Sequence, residues 1–217
     1  MTFISPVDSK ETASFFDAMA EKWDTICFHD PAVITRMMEL TGISDERGPD
    51  GKIKILDAGC GTGIMIPFIS HFTAGTDIEL DAIDLSEKMI ATARNKLSAY
   101  KNVNFMTADI LDENSAFSKK SGGKYDAVFL YSVFPHFNDY ADAALKINRL
   151  LKPDGKMIIM HSESRETLNR MHSSQDAVAD AMLPPAKELS EIFIENNFKI
   201  KYTLDTDYCY FILAQKN

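Results

Sequence analysis

The fold of this chain is decided by the stretch Ile53-Lys54-Ile55-Leu56-Asp57-Ala58-Gly59-Cys60-Gly61-Thr62-Gly63. Its β-branched and aliphatic residues predict a buried parallel strand, which runs into a turn with three alternating glycines. Glycine permits positive φ and lacks a Cβ atom, so the backbone of this turn can approach a ligand closely. The apolar segment 64–69 begins a helix whose first N–H groups face the same place. We therefore expect a ligand at the carboxyl end of this strand.

Strand and helix patterns alternate along the chain after this point. Strand patterns cover 52–58, 80–85, 103–107, 125–132 and 156–161, and helix patterns lie between them at 62–71, 86–99 and 139–151. This alternation predicts an α/β fold with a doubly wound parallel sheet. Two closing strand patterns, 198–204 and 208–214, are separated only by the acidic turn 205–207. Because that connection is short, they should pair as an antiparallel hairpin.

The remaining segments are predicted to be mostly helical. An amphipathic helix covers 11–23, a second helix covers 31–41, and the polar segment 44–51 links them to the first strand. The polar segment 162–182 is also predicted to be helical, and Pro184-Pro185 begins one more helix.

Composition restricts the kind of partner. A chain of 217 residues with 45% hydrophobic content suffices for one globular domain, and a net charge of −9 argues against a nucleic-acid partner. Three widely separated cysteines, Cys27, Cys60 and Cys209, argue against a disulfide framework or a structural zinc site and favour the cytoplasm. No apolar run approaches the roughly 20 residues that span a bilayer, and the charged start of the chain is unlike a signal peptide. We therefore expect a small-molecule ligand and no membrane partner.

Acidic and aromatic residues stand at three further strand ends. The second strand pattern ends at Asp84, about 20 residues beyond the glycine turn, where an acid accepts hydrogen bonds from a ribose diol. The third leads into Asp109, and the fourth ends at Tyr131. Because the carboxyl ends of parallel strands meet at one edge, these side chains should share one site. Helix capping is the alternative for the two acids, and a core position is the alternative for Tyr131.

The sequence resembles the class I S-adenosylmethionine-dependent methyltransferases that act on small molecules, over about residues 15–160. The glycine turn follows that family's first motif, acid-x-Gly-x-Gly-x-Gly. A dinucleotide dehydrogenase carries Gly-x-Gly-x-x-Gly, and the position of its third glycine is Ile64 in this chain. The resemblance implies a Rossmann-like, mostly parallel seven-stranded sheet, S-adenosyl-L-methionine as cofactor and S-adenosyl-L-homocysteine as product.

The resemblance also implies roles for particular residues. Asp57 and the glycine backbone would surround the amino-acid end of the cofactor, Asp84 would hold the ribose, and Asp109 would meet the adenine amine. The full implied cofactor-binding set is Asp57, Gly59, Cys60, Gly61, Gly63, Asp84, Leu85, Met89, Asp109, Ile110 and Tyr131.

The acceptor side is predicted from three segments. Residues 1–50 resemble a helical lid in front of a catalytic domain at 51–217. The predicted substrate-lining residues are Phe16, Trp23, Phe134, Arg165 and His172. His136 and His161 stand at or after strand ends and are the candidate general bases, with packed histidines as the alternative.

The predicted function is methyl transfer to oxygen, nitrogen, sulfur or carbon of a small molecule by a monomer or homodimer. No metal is expected, because no carboxylate stands at ligand spacing to His136, His161 and His172. Two alternatives are a non-catalytic S-adenosylmethionine-binding module and an NAD-dependent oxidoreductase, which Ile64 disfavours.

Overall fold

The computed structural model describes residues 9–43, 51–175 and 178–217, and it contains one seven-stranded sheet. The strands are Lys52–Ala58 (β1), Asp77–Asp84 (β2), Val103–Thr107 (β3), Tyr125–Tyr131 (β4), Leu151–His161 (β5), Phe198–Asp205 (β6) and Tyr210–Lys216 (β7). Their order is β3-β2-β1-β4-β5-β7-β6, and β7 runs antiparallel to both of its neighbours. The predicted doubly wound, mostly parallel sheet with a C-terminal antiparallel hairpin is confirmed.

Helices cover both faces of the sheet. They are Ser9–Met19 (α1), Trp23–Ile26 (α2), Pro31–Thr41 (α3), Met65–Phe72 (α4), Glu87–Lys96 (α5), Ala116–Ser121 (α6), Tyr140–Leu150 (α7), Arg165–Ser173 (α8) and Ala186–Glu195 (α9). Apolar side chains of α3, α4 and α5 join one core cluster, and those of α6, α7, α8 and α9 join the cluster on the other face. Because both faces are covered, strand β4 is buried along nearly its whole length.

Local capping fixes the helices that border the site. Asp30 caps α3 by accepting hydrogen bonds from the N–H groups of Ala32 and Val33, and Gly42 ends the helix in the left-handed conformation. Ser86 caps α5 by accepting from Met89 N at 3.0 Å. The predicted helix at 31–41 is therefore confirmed at both ends.

Other predicted boundaries differ from the structure. The helix expected at 11–23 is broken between Met19 and Trp23, and the helix expected over 162–182 covers only 165–173 of the described residues. Strand β5 begins at Leu151 rather than 156, because Leu151 pairs with Tyr125 and a register shift accommodates the turn residues that follow. The short helix α6 was not predicted, although Ser115 before it and Gly122 after it are its cap signals.

The three helices within residues 9–43 pack in two different places. The buried residues of α3 belong to the core of the sheet, so α1 and α2 alone lie over its carboxyl edge. The predicted polar linker at 44–51 falls mostly outside the described residues. The division into a lid at 1–50 and a catalytic domain at 51–217 stays a prediction. In the described ranges, no helix is both long enough and apolar enough to cross a membrane.

Candidate active site

Two adjoining cavities lie at the carboxyl ends of the parallel strands. The first has a volume of about 290 Å³ and is lined by the glycine turn and by residues at the ends of β2, β3 and β4. The second has a volume of about 350 Å³ and lies between α1, α2 and α8. Five residues line both cavities: Phe16, Trp23, His29, Ser132 and His136. The sheet therefore presents a site with two compartments at the switch point between β1 and β4.

The three glycines of the turn have different roles. Gly61 lines the first cavity with φ +52°, and a Cβ atom there would find only Trp23 Nε1 within 4 Å, at 3.8 Å. Gly59 also lines the cavity, but its missing Cβ makes room for Val133. Gly63 does not line the cavity, and a Cβ at this position would come within 2.4 Å of Leu97 Cδ1. For Gly63 the structure corrects the prediction: this glycine permits close packing against the end of α5.

Asp84 anchors the glycine turn from the end of β2. Its Oδ2 accepts a hydrogen bond from Gly61 N at 2.8 Å, and its Oδ1 accepts one from Ser86 N at 2.9 Å. Burial raises the pKa of Asp84, and the two N–H donors oppose that rise. Asp84 lines the first cavity together with Leu85 and Met89, and their contact with a nucleoside stays a prediction.

Asp57 lies beneath the turn rather than in the cavity lining. It is 1% exposed, and neither of its carboxylate oxygens has a hydrogen-bond partner among the described residues. Burial, and then the charge of Asp84, raises the pKa of Asp57 to about 7. A positive charge brought close to the turn would stabilise the ionised form. Asp57 therefore lies outside the cavity lining, and its role toward the cofactor stays a prediction.

The end of β3 contributes Asp109 and Leu111 to the first cavity. Asp109 Oδ1 accepts a hydrogen bond from Leu111 N at 2.7 Å, which fixes the loop. Ile110 was predicted to lie beside the ligand, but it is 8% exposed and packs in the core, so Leu111 takes that place. Cys60 lines the cavity as a buried thiol, and burial raises its pKa well above the usual value.

Two carboxylates hold α1 and α2 against the domain. Asp17 accepts hydrogen bonds from the Ser86 hydroxyl and from Lys88 N. Asp24 accepts from the Thr62 hydroxyl and pairs with Lys96 Nζ at 2.6 Å. The helices that cover both cavities are therefore tied to the glycine turn and to the N-terminal end of α5.

A hydrogen-bonded series links the two cavities. His29 Nδ1 lies 2.9 Å from Tyr131 Oη, which lies 2.8 Å from Ser162 Oγ. Burial lowers the pKa of His29, and the nearby Asp24 opposes that shift. Burial raises the pKa of Tyr131 to about 12, so its hydroxyl stays protonated at neutral pH. Sequence reasoning missed His29, because nothing in the loop before Asp30 marks it as a site residue.

The predicted acceptor-side residues divide into two groups. Phe16, Trp23, His136 and His172 line the second cavity, and the first three also line the first cavity. The ring of His136 lies edge-on to the ring of Phe16, with a centroid distance of 5.3 Å. The centroids of the His136 and His172 rings are also 5.3 Å apart. Burial, and then the charge of His172, lowers the pKa of His136 to about 3.

His161, Phe134 and Arg165 lie outside both linings, and the structure corrects their predicted places. His161 is 1% exposed and packs edge-on to Tyr210, and burial lowers its pKa to about 3. Phe134 is fully buried in the core. Arg165 Nε pairs with Asp205 at 3.1 Å instead of facing a cavity. No group of three or more His, Cys, Asp or Glu side chains that could hold a metal occurs in the described ranges.

The strand order, the glycine turn and the cavity at the switch point define a Rossmann-like α/β protein with a nucleotide-type site. The profile of a family described as "Methyltransferase domain" matches residues 56–157. Over these residues the chain is similar to the class I S-adenosylmethionine-dependent methyltransferases.

The chain is also similar to individual methyltransferases. The chain is 27% identical over 172 residues to a malonyl-[acyl-carrier protein] O-methyltransferase of Halalkalibacterium halodurans, covering 77% of this chain and 60% of the relative. It is 30% identical over 168 residues to a ubiquinone biosynthesis O-methyltransferase of Thiobacillus denitrificans, covering 77% of this chain and 66% of the relative. The chain thus spans less than two thirds of these relatives. A crystal structure of a SAM-dependent methyltransferase from Aquifex aeolicus has the same fold, with a TM-score of 0.65, 16% identity and coverage of 99% of this chain and 100% of that one.

Proposed function

We propose that this protein transfers a methyl group from S-adenosyl-L-methionine to a small-molecule acceptor. The observation that carries the proposal is the pair of adjoining cavities, of which one has a nucleoside-type wall and the other has a largely apolar wall. When bound, the cofactor supplies a methyl group on a positively charged sulfur. The protein supplies proximity and alignment of the two reactants.

The first cavity is suited to the cofactor. The Asp84 carboxylate would hold the ribose hydroxyls, with Leu85, Met89 and Leu111 against the adenine and Asp109 near its amine. These side chains present carboxylate acceptors to hydroxyl and amine donors, and an apolar wall to the flat base.

The opposite end of the first cavity would hold the methionine part. Gly61 leaves space at the turn, Tyr131 lines the wall, and the buried Asp57 carboxylate favours positive charge nearby. An orphaned buried carboxylate close to the turn fits a ligand that carries both an ammonium and a sulfonium group.

The second cavity would receive the acceptor, with His136 or His29 at its junction with the first. Both named relatives are O-methyltransferases, and we extend that preference for oxygen to this chain as part of the proposal. The net charge of −9 supports a partner other than nucleic acid, and we propose action in the cytoplasm without a membrane partner.

Calorimetry tests the cofactor directly. S-adenosyl-L-homocysteine should bind with micromolar or tighter affinity and NAD should not bind; the reverse result would indicate an oxidoreductase. Release of S-adenosyl-L-homocysteine should then be followed with phenols, thiols, amines and quinones as acceptors. Binding without turnover of any acceptor would favour the non-catalytic module.

A further inference from the structure

The second cavity has an apolar body and a polar end. Its apolar wall comes from α1, α2, the loop after α2, α8 and the segment after α8: Met19, Ile26, Phe28, Leu168, Met171 and Val178. His29 and Ser132 lie at the junction with the first cavity, and Ser162 is hydrogen-bonded to Tyr131 of that cavity. A ligand that fits both parts has an apolar body and one polar group that points to the junction.

The charged side chains around this polar end disfavour an acidic ligand. Neither lysine nor arginine occurs among the described residues that line the second cavity, whereas the half-buried Glu163 carboxylate does. Arg165, which follows closely in the chain, is paired with Asp205 and Glu166 and lines neither cavity. A carboxylate ligand would lose its hydration beside Glu163 without gaining a cationic side chain of the second cavity.

The same charges disfavour an amine as the reacting group. Glu163 would stabilise the protonated ammonium form, which has no lone pair for attack. A hydroxyl group avoids both problems, because it is uncharged on entry and needs only an acceptor for its proton.

His29 lines both cavities and is therefore placed to be that proton acceptor. Tyr131 has a single hydroxyl proton, and its hydrogen-bond neighbours are His29 Nδ1, Ser162 Oγ and the Ser132 side chain. If Tyr131 donates to Ser162, His29 must donate through Nδ1, and its Nε2 then has a free lone pair. Asp24 of α2 and Lys96 of α5 are the charged groups whose fields act on His29, with opposite signs. Burial favours the neutral ring that can take up a proton.

We propose, on the basis of the proposed function, that the acceptor is an uncharged hydroxyl compound with an apolar body and that His29 Nε2 removes its proton. The acceptor O–H bond breaks, its proton passes to Nε2, and the oxygen electron pair forms the new bond to the methyl carbon. The electron pair of the broken carbon–sulfur bond stays on sulfur. The imidazolium then releases the proton to solvent.

Binding of three matched probes tests the ligand class. The full chain is saturated with S-adenosyl-L-homocysteine and titrated by calorimetry at pH 7.5 with 4-hexylphenol, 4-hexylbenzoic acid or 4-hexylbenzylamine. The phenol should bind at least tenfold more tightly than the acid and the amine, and Glu163→Gln should strengthen binding of the acid about tenfold. Absent phenol binding, or equal or tighter binding of the acid or amine, would overturn the proposal. Failure of S-adenosyl-L-homocysteine itself to bind would instead overturn the proposed function.

The His29→Asn variant tests the proton acceptor, because its amide retains a donor for Tyr131 but cannot take up a proton. Turnover of 4-hexylphenol at pH 7 should fall about 100-fold or more, while calorimetric affinities for the phenol and for S-adenosyl-L-homocysteine change less than threefold. The loss should shrink as the pH approaches the phenol pKa of about 10, because the phenolate needs no base. His71→Asn, an exposed histidine outside both cavities, is the control. A loss that is the same at every pH would overturn the role of His29.

Discussion

Replacing Asp84 with asparagine separates two roles of one carboxylate. In the folded protein each oxygen accepts a backbone N–H, from Gly61 at 2.8 Å and from Ser86 at 2.9 Å. The amide of asparagine has one oxygen, so one of these charge-assisted hydrogen bonds is lost. Such a bond contributes about 1.5–3 kcal/mol, and a chain of this size loses about 2–4 °C in Tm per kcal/mol. We expect a decrease in Tm of about 3–12 °C without ligand.

The proposed ribose contact adds a second effect of the same substitution. Loss of one hydrogen bond between the carboxylate and a ribose hydroxyl weakens binding by about 1.5–3 kcal/mol, which is about 10- to 150-fold in Kd. Calorimetry with S-adenosyl-L-homocysteine and differential scanning calorimetry of the apoprotein measure the two effects separately.

Asp81→Asn is the matched control for Asp84→Asn. Asp81 lies on the same strand and accepts a hydrogen bond from Tyr125 Oη at 2.7 Å, but it lines neither cavity. Its replacement should lower Tm and leave the affinity for S-adenosyl-L-homocysteine unchanged. Equal affinities of the two variants would refute the ribose role of Asp84, and an unchanged Tm of Asp84→Asn would refute its anchoring of the turn.

Three further substitutions probe the turn, the core and the lid. Gly61→Val should abolish S-adenosyl-L-homocysteine binding, because the new side chain enters the first cavity. The φ of +52° at this position adds a backbone strain of about 1–2 kcal/mol, which should lower Tm. Wild-type affinity in calorimetry would contradict the predicted loss of binding. His161 has a folded pKa of about 3, below its value of 6.5 when unfolded, so the folded state binds fewer protons and stability is lost as the pH falls below 6.5. Between pH 7 and pH 5 the free energy of unfolding should fall by about 2 kcal/mol because of His161. Urea unfolding of His161→Leu should lack this decrease, and an identical pH dependence of the wild type and the variant would exclude the effect. Asp24→Asn weakens the contacts with Thr62 and Lys96, so S-adenosyl-L-homocysteine should dissociate up to about fivefold faster in stopped flow, and added salt should speed dissociation from the wild type but not from the variant.

The fold could be predicted from the sequence because its determinants are local. The aliphatic run before the glycines, the Ser86 cap and the short turn after residue 204 each act within a few residues. Predicted boundaries failed where pairing across the sheet decided them. The start of β5 at Leu151 follows from its partner Tyr125, which is distant in sequence.

The candidate site was predictable only in part, for a similar reason. The first cavity is lined by Asp84, Asp109 and Tyr131, because the geometry of a parallel sheet fixes the position of residues at the carboxyl ends of its strands. The positions of residues on helices and loops relative to the site depend on how these segments pack against the sheet. Phe134 and His161 follow strand ends in sequence, yet both side chains are buried beneath the site, while His29 reaches it from a loop without any motif.

The sequence by itself therefore determined the sheet, the family and the place where a cofactor would lie, because the glycine turn and the acids at the next two strand ends follow the order of the chain. Only the tertiary structure decided what surrounds the acceptor. It gave Gly63 a packing role and joined His29, Tyr131 and Ser162 in one hydrogen-bonded series. Those contacts form between segments more than 30 residues apart, and their geometry depends on how the helices pack over the sheet.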